Sequence, residues 1–341
     1  MEKIKAIGIT AVVIAAIATI ATGTVLASAQ AAELSGELTI AGSTTVLPTN
    51  QECARLLMEE NPDLRISVSG GGSGHGVKAV GEGAIDIGAA SRDIKTKELE
   101  TYPDLKPIAI GKDSVTIIVH PDNAVSDLTM EEASKIFAGE ITNWQDVGGS
   151  DEPIRVITRE GGSGTRDCFE DAVMKPFDYT IYGKALVKPS NGEIRATISR
   201  DEAGIGFLSL GFVDESLKAV KIDGVAATVD NVLSGVYPIS RSLYLITKGE
   251  PKALPKAFIE FMLSEDGQVV VEDMGYIKVS PVETLAQIAA PTTTPAATAT
   301  PVATVVATPA ATAAPTPATP GFEAVFAIAG LFVYAVFKRR K

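Results

Sequence analysis

The stretch "ITREGGSGTRDCFE" runs from Ile157 to Glu170. An apolar lead carries the chain into Arg159. A turn of Gly161, Gly162, Ser163, Gly164 and Thr165 follows, and from Arg166 onward the residues suit a helix. A strand that feeds a glycine-rich turn and then a helix is the joint from which α/β sheets are built. A helix start leaves backbone N–H groups unpaired and carries partial positive charge. Glycine lets an anion approach that backbone closely. Ser163, Gly164 and Thr165 are the candidate donors here. Arg159, four residues ahead of Ser163 at the strand end, brings a guanidinium to the same place. Its fork matches an oxyanion by two parallel hydrogen bonds.

Two other stretches repeat the theme. "AGSTTVLP", from Ala41 to Pro48, follows the short strand "ELTIAG" and offers Ser43, Thr44 and Thr45 before a helix that begins near Pro48. "SGGGSGHGVKAV", from Ser69 to Val80, offers Ser73 and the amides of Gly72 to Gly76. Taken singly, each turn reads equally well as an ordinary helix cap. Three together with a strand-end arginine point to one anionic ligand held from several sides. Ligands of open α/β sheets bind at such strand ends.

The rest of the body continues the alternation. "PTNQECARLLMEENP" has helical spacing, "LRISVSG" alternates like a strand, and "AIDIGAAS" reads as a buried strand. "DSVTIIVHPDN" is a strand rich in β-branched residues, and "LTMEEASKIFAGEITNW" is a helix that should stop at Gly139. "AGIGFLSLG" and "SLYLITKG" add strands, and helices close the body. The expected class is α/β with helices flanking mostly parallel sheets.

Several chemistries are excluded. "GSGHGVKAV" lacks the Ser or Thr that a P-loop needs after its lysine. Neither Ser73 nor Ser163 sits in GxSxG. The chain has 2 histidines, His75 and His120. The first suits a surface loop and the second a strand end, so a hydrolase triad is not expected. The 2 cysteines, Cys53 and Cys168, form no CxxC or Cys/His cluster. They are expected to be buried free thiols, with an exported disulfide as the alternative, and neither a metal nor a cofactor is expected. A net charge of −12 disfavours nucleic acid as a partner.

The ends of the 341-residue chain concern its location. Residues 1–29 hold two early lysines, an apolar run and Ala27-Ser28-Ala29, the form of a signal-peptidase site. Cleavage is expected; the alternative is a retained N-terminal membrane helix. Residues 291–320 are almost wholly Pro, Thr, Ala and Val, which suits a disordered stalk. Residues 321–341 join an apolar stretch to a basic end. Pro320-Gly321-Phe322 resembles the tripeptide of the archaeal PGF-type C-terminal sorting signal. That resemblance implies tail removal and lipid attachment; the alternative is a plain membrane anchor. Both put the body on the outer face of the cell membrane.

"AGSTTVLP", "SGGGSGHGVKAV", "AIDIGAASR", "ITREGGSGTR" and "YPISRSLY" occur in the order seen in phosphate-binding proteins of ABC transporters, and the body resembles that family over about 35–287. The resemblance implies a two-lobed type II periplasmic-binding-protein fold: two mixed sheets flanked by helices and joined by a hinge of two crossings. Lobe one would comprise 35–115 plus 243–288, and lobe two 116–242. It also implies inorganic phosphate held in the interlobe cleft, delivery to a membrane permease, and no catalysed reaction. The chain is expected to act as a monomer. Carried over by residue, the ligands are Thr44, Thr45 and also Ser43 from the first turn, Ser73 from the second, and Arg159, Ser163, Gly164 and Thr165.

One position departs from the family pattern. Where an aspartate is expected after the third motif, the chain reads Ser91-Arg92-Asp93. Ser91 and Arg92 become candidate ligands, with Asp93 free to pair with an arginine. Phosphate needs an acceptor for its proton, whereas sulfate needs donors only. An unmatched buried acceptor costs about 1–3 kcal/mol. A receptor for sulfate, molybdate or tungstate is therefore the alternative within binding. A surface phosphoester hydrolase would need a nucleophile with a base, or a metal cluster. A purely structural surface module would leave the clustered donors without a purpose.

Overall fold

The computed structural model describes residues 33–280. The expected signal peptide, the stalk, the C-terminal segment and residues 281–288 of the expected lobe one lie outside them. The first stretch alternates as β1 (Gly36–Gly42), α1 (Leu47–Glu60), β2 (Leu64–Gly71), α2 (Ser73–Glu82), β3 (Ile87–Ala90) and α3 (Thr96–Thr101). Next come β4 (Leu105–Val119), β5 (Asp127–Leu128), α4 (Met130–Ala138), β6 (Arg155–Arg159), α5 (Gly164–Phe169), β7 (Leu186–Lys188) and α6 (Asn191–Ile198). Then follow β8 (Gly204–Ser209), β9 (Lys218–Ala219), β10 (Lys221–Ile222), α7 (Val229–Leu233), β11 (Ser240–Lys248), α8 (Ala253–Leu263) and α9 (Glu265–Asp273).

Local chemistry accounts for many of these limits. In α4, Thr129 Oγ1 accepts from the Glu132 N–H while the Glu132 carboxylate accepts from the Thr129 N–H. This reciprocal cap starts the helix. Gly139, at φ 80°, ends it in the left-handed conformation. All of β3 is buried because it lies between β1 and β11 under helices.

The strand order is β2-β1-β3-β11-β4-β8-β6-β7, with β9 also pairing β4. β1 runs parallel to β2 and β3, and β6 runs parallel to β7 and β8. Two sheets were expected to carry the lobes, yet among the described residues these nine strands form one sheet, and only β5 and β10 pair apart from it. The reason is the 15-residue β4. Its residues 105–114 pair with β11, and its residues 115–119 pair with β8. Only the second half of β4 has the pattern of a strand in the sequence. Pro107 lies in the first half and argues locally against a strand.

The core changes at the same place. One cluster gathers Leu38, Ile40, Leu57, Ile87, Leu243 and Phe258. Another gathers Val115, Ile117, Trp144, Tyr237 and Ile239 around Phe137, Phe169 and Phe207. Phe169 and Phe207 stack with centroids 4.0 Å apart, and Phe137 meets Phe169 edge-on at 4.6 Å. Burying each such side chain stabilises by about 1.5–3 kcal/mol. Cys53 and Cys168 are both free. Cys53 is fully buried as expected, with its thiol pushed up to about 12 by burial. Cys168 is only partly buried.

Candidate anion site

The carboxyl ends of β1, β2, β3, β6 and β7 come together, and the three glycine-rich turns meet there. After β1, the Ser43 N–H donates to Ala89 O at 2.8 Å, and the Thr45 N–H donates to Ser43 Oγ at 3.2 Å. Gly42, at φ 139°, has no alternative: a Cβ there would lie 2.2 Å from Ala89 O. After β2, Ser73 Oγ accepts from the Ser91 N–H at 3.1 Å and stands 3.4 Å from Ser91 Oγ. After β6, Ser163 caps α5 by accepting from the Arg166 N–H at 3.3 Å.

The turns touch across the change in core. The Gly74 N–H donates to Gly162 O at 2.9 Å. Gly164 presses so closely on the second turn that a Cβ would stand 2.3 Å from Ser73 Oγ and 2.7 Å from Ser91 Oγ. Ser43, Thr45, Ser73, Ser91, Ser163 and Thr165 are all buried, and Thr44 is half-buried.

Arg159 is 1% exposed. Its Nε and Nη2 donate to the two oxygens of Glu160 at 2.9 and 2.8 Å. Its Nη1 donates to Asn191 Oδ1 at 3.2 Å, and Nη2 also reaches Thr44 Oγ1 at 3.2 Å. The two-pronged edge expected to face an anion is thus turned toward Glu160. A buried guanidinium without a counter-charge is costly, and its sequence neighbour supplies one. Burial lowers the Arg159 pKa, and the nearby Arg241 guanidinium lowers it further against the pull of Glu160.

Three groups that the sequence reading did not single out complete this part. Arg241 stands opposite Asp113 in the β11–β4 ladder. Its Nε and Nη2 donate to Asp113 Oδ2 at 2.9 and 2.7 Å, and Ser209 Oγ donates to Asp113 Oδ1 at 2.9 Å. Burial pushes the Asp113 carboxyl up, while Arg241 and Ser209 pull it back. Asn191 opens α6 behind Ser190, whose Oγ accepts from the Glu193 N–H at 3.1 Å. The Ser190-x-x-Glu193 spacing was the available signal for that fourth strand-to-helix junction.

Arg92, a candidate ligand, is held by carboxylates. Its Nη1 and Nη2 donate to Glu98 at 2.8 and 2.7 Å, and its Nε lies 2.7 Å from Asp167 Oδ2, an ion pair set off the hydrogen-bond line. Lys95 Nζ reaches the same Asp167 oxygen at 2.8 Å. Burial works against the Arg92 charge, but Glu98 and Asp167 outweigh it and raise the pKa. Asp93 was expected to pair with an arginine. Instead its Oδ1 accepts from Tyr244 OH at 2.7 Å, and Arg92 touches only its backbone oxygen.

His75 is exposed but lies in α2 rather than in a loop. His120, Asp122 and Glu202 bring ligand atoms within 4.8 Å of one another, so a cation has a possible seat there, although no metal was expected. That cluster lies beyond the end of β4, away from Asp113. A groove of about 340 Å³ lined by Ile136, Ile141, Tyr182 and Leu186 is mostly apolar and also lies away from the turns.

Comparison with known proteins agrees with this fold. A PBP superfamily domain matches residues 27–266, and a PGF-CTERM motif matches residues 319–341. The phosphate-binding protein PstS of Bacillus subtilis is 36% identical over 251 residues, 73% of this chain and 83% of the relative. A Clostridium perfringens structure, described as a phosphate ABC transporter substrate-binding protein with bound phosphate, is 39% identical with a TM-score of 0.68; the match covers 72% of this chain and 100% of that one. An ABC-type phosphate transport receptor from Vibrio cholerae is 32% identical with a TM-score of 0.60, over 71% of this chain and 100% of its own. With its mixed sheet, its flanking helices and these matches, the chain belongs to the PBP superfamily, among proteins of the PstS type.

Proposed function

We propose that this protein captures inorganic phosphate where its glycine-rich turns meet and hands it to an ABC transporter permease. It is a substrate-binding protein and not an enzyme. The observation that carries the reading is Arg159, 1% exposed, among buried hydroxyls that come from both sides of the change in core. Thr44 Oγ1 accepts from its guanidinium, and Ser163 and Thr165 follow it at the start of α5. Ser43, Ser73, Ser91 and the Gly164 amide complete the donor set. Two buried arginines are balanced by Glu160 and Asp113. Attraction for the anion then comes from directed donors more than from net charge.

In this reading the body is two lobes, 35–115 plus 243–288 and 116–242, which close on the anion. The matched C-terminal motif fits anchorage at the cell surface, with the signal peptide removed and the body facing outward as a monomer. Among the described residues no helix is long and apolar enough to cross a membrane.

A second reading, another tetrahedral oxyanion, has one observation in its favour. The carboxylates around the site are engaged: Glu160 with Arg159, Asp167 with Arg92, Asp113 with Arg241 and Asp93 with Tyr244. Acceptance of the phosphate proton then falls to hydroxyl oxygens such as Ser73 and Ser91, or to a carboxylate's remaining lone pairs. Calorimetric titration with phosphate, sulfate, molybdate and tungstate decides. The expected result is one phosphate bound at micromolar affinity or tighter, about −8 kcal/mol. Tight molybdate or tungstate binding without phosphate binding would overturn the proposal.

A further inference from the structure

Thr45 carries the most side-chain hydrogen bonds of the site's hydroxyls, and its partners fix where its proton goes. A threonine oxygen has two lone pairs and one hydrogen. Asn191 Nδ2 lies 2.9 Å from Thr45 Oγ1, and Arg241 Nη2 lies 3.1 Å from it. Both nitrogens can only donate. The Asn191 amide cannot be turned around, because its Oδ1 already accepts from Arg159 Nη1 at 3.2 Å and from the Ser209 N–H at 3.4 Å. Arg241 is held in turn by Asp113 at 2.7 Å. Both lone pairs of Thr45 are therefore filled. Its third partner is Thr165 Oγ1 at 3.2 Å, which must receive the Thr45 hydrogen.

We propose that Thr45 is a positioning residue and not a ligand. Asn191 and Arg241 set its proton, and Thr45 aims the Thr165 proton at the bound oxyanion. Thr165 accepts from Thr45, so its own hydrogen is left for another acceptor. Thr45 is 0% exposed and Thr165 1%, so the hydroxyl pair is shielded from water that would scramble its direction. Hydrogen bonds in a buried chain polarise one another. Here the chain runs from Asp113 through Arg241 and Thr45 to Thr165. Thr45 belongs to the segment before the change in core, and Asn191 and Thr165 to the segment after it. The relay is complete only where the two meet. This inference rests on the proposal that an oxyanion occupies the site.

A double-mutant cycle on the full chain, read by phosphate calorimetry, tests it. Thr45→Val should weaken binding about tenfold, the loss of roughly one buried hydrogen bond. Thr165→Val should weaken it by at least as much. The double variant should bind no more than about twofold more weakly than Thr165→Val alone, because Thr45 acts through Thr165. Thr45→Ser, which keeps the hydroxyl, should restore affinity. Losses that multiply in the double variant would make Thr45 an independent ligand and overturn the relay. So would wild-type affinity in Thr45→Val, or a folded Thr45→Ser that does not recover. If Thr45→Val does not fold, Thr45→Ala takes its place in the cycle with the same expected coupling. A wild-type chain that ignores phosphate but takes another oxyanion would strike the parent reading alone. The same cycle with that anion then decides the relay.

Discussion

Arg92 and Arg159 are 7% and 1% exposed, each at the end of a strand beside a glycine-rich turn. Their surroundings separate them. Arg92 faces carboxylates on two sides, Glu98 from α3 and Asp167 from α5, and Lys95 shares the second. Its donors are spent on charge. Arg159 has one carboxylate, Glu160, and otherwise neutral oxygens on Asn191, Thr44 and Pro189. Neutral acceptors exchange places with a ligand oxygen at small cost, whereas breaking a buried ion pair costs several kcal/mol. Burial alone therefore does not mark a binding arginine. The charge of its partners does. Arg92 ties α3 to α5 through Glu98 and Asp167, and Arg159 is the arginine proposed to serve the anion.

The contact between turns is the most sensitive place to break this arrangement. Gly164→Ala adds a Cβ 2.3 Å from Ser73 Oγ, and the two turns must separate. Losing about two buried hydrogen bonds to the anion as the turns part should weaken phosphate binding about a hundredfold. Thermal stability should fall as well, by the roughly 1–3 kcal/mol of an overpacked buried contact. Unchanged affinity would show that the turns do not meet around the ligand.

Arginine-to-lysine changes sharpen the comparison directly. Arg159→Lys should weaken phosphate binding at least tenfold with the fold intact, since lysine loses the planar fork. Arg92→Lys should lower thermal stability while shifting the dissociation constant less than about threefold, because its partners are structural. Equal effects on binding in calorimetry would erase the distinction drawn between the two arginines.

The smallest effect is expected far from the site. Arg155 pairs with Asp201 at the surface, and that hydrogen bond holds the Asp201 carboxyl below its ordinary range. A depressed folded pKa gives stability that is present above the unfolded pKa and lost as pH falls through the folded one. Arg155→Ala should leave phosphate affinity unchanged and flatten the acid side of the stability profile. Denaturant melts between neutral and acid pH would show it. A profile parallel to wild type would mean the pair adds nothing.

Local signals explain what the sequence revealed. The β6–α5 junction was legible because its strand, glycines and cap lie within Ile157–Glu170. The α4 helix carried its own cap and stop. Asn191 was legible in principle through Ser190 and Glu193, but its side chain matters only because it reaches Thr45 across the fold. Arg241 acquires its role from strand register: Asp113 is 128 positions away in the chain. The ion pair of Arg92 with Asp167 was hidden for the same reason, since Asp167 comes to it from a distant helix. The first half of β4 was hidden by Pro107, a proline tolerated by the antiparallel ladder with β11. Periodicity and turn chemistry reach a few residues along the chain, and these partners do not.

That phosphate joins the two lobes is tested most directly by small-angle scattering of the protein with and without saturating phosphate. An anion bonded from both sides of the change in core favours the closed form over the open one. The radius of gyration should fall on adding phosphate, and Gly164→Ala should not show the fall. Superimposable wild-type curves under conditions where calorimetry shows phosphate bound would contradict closure of the lobes on the anion.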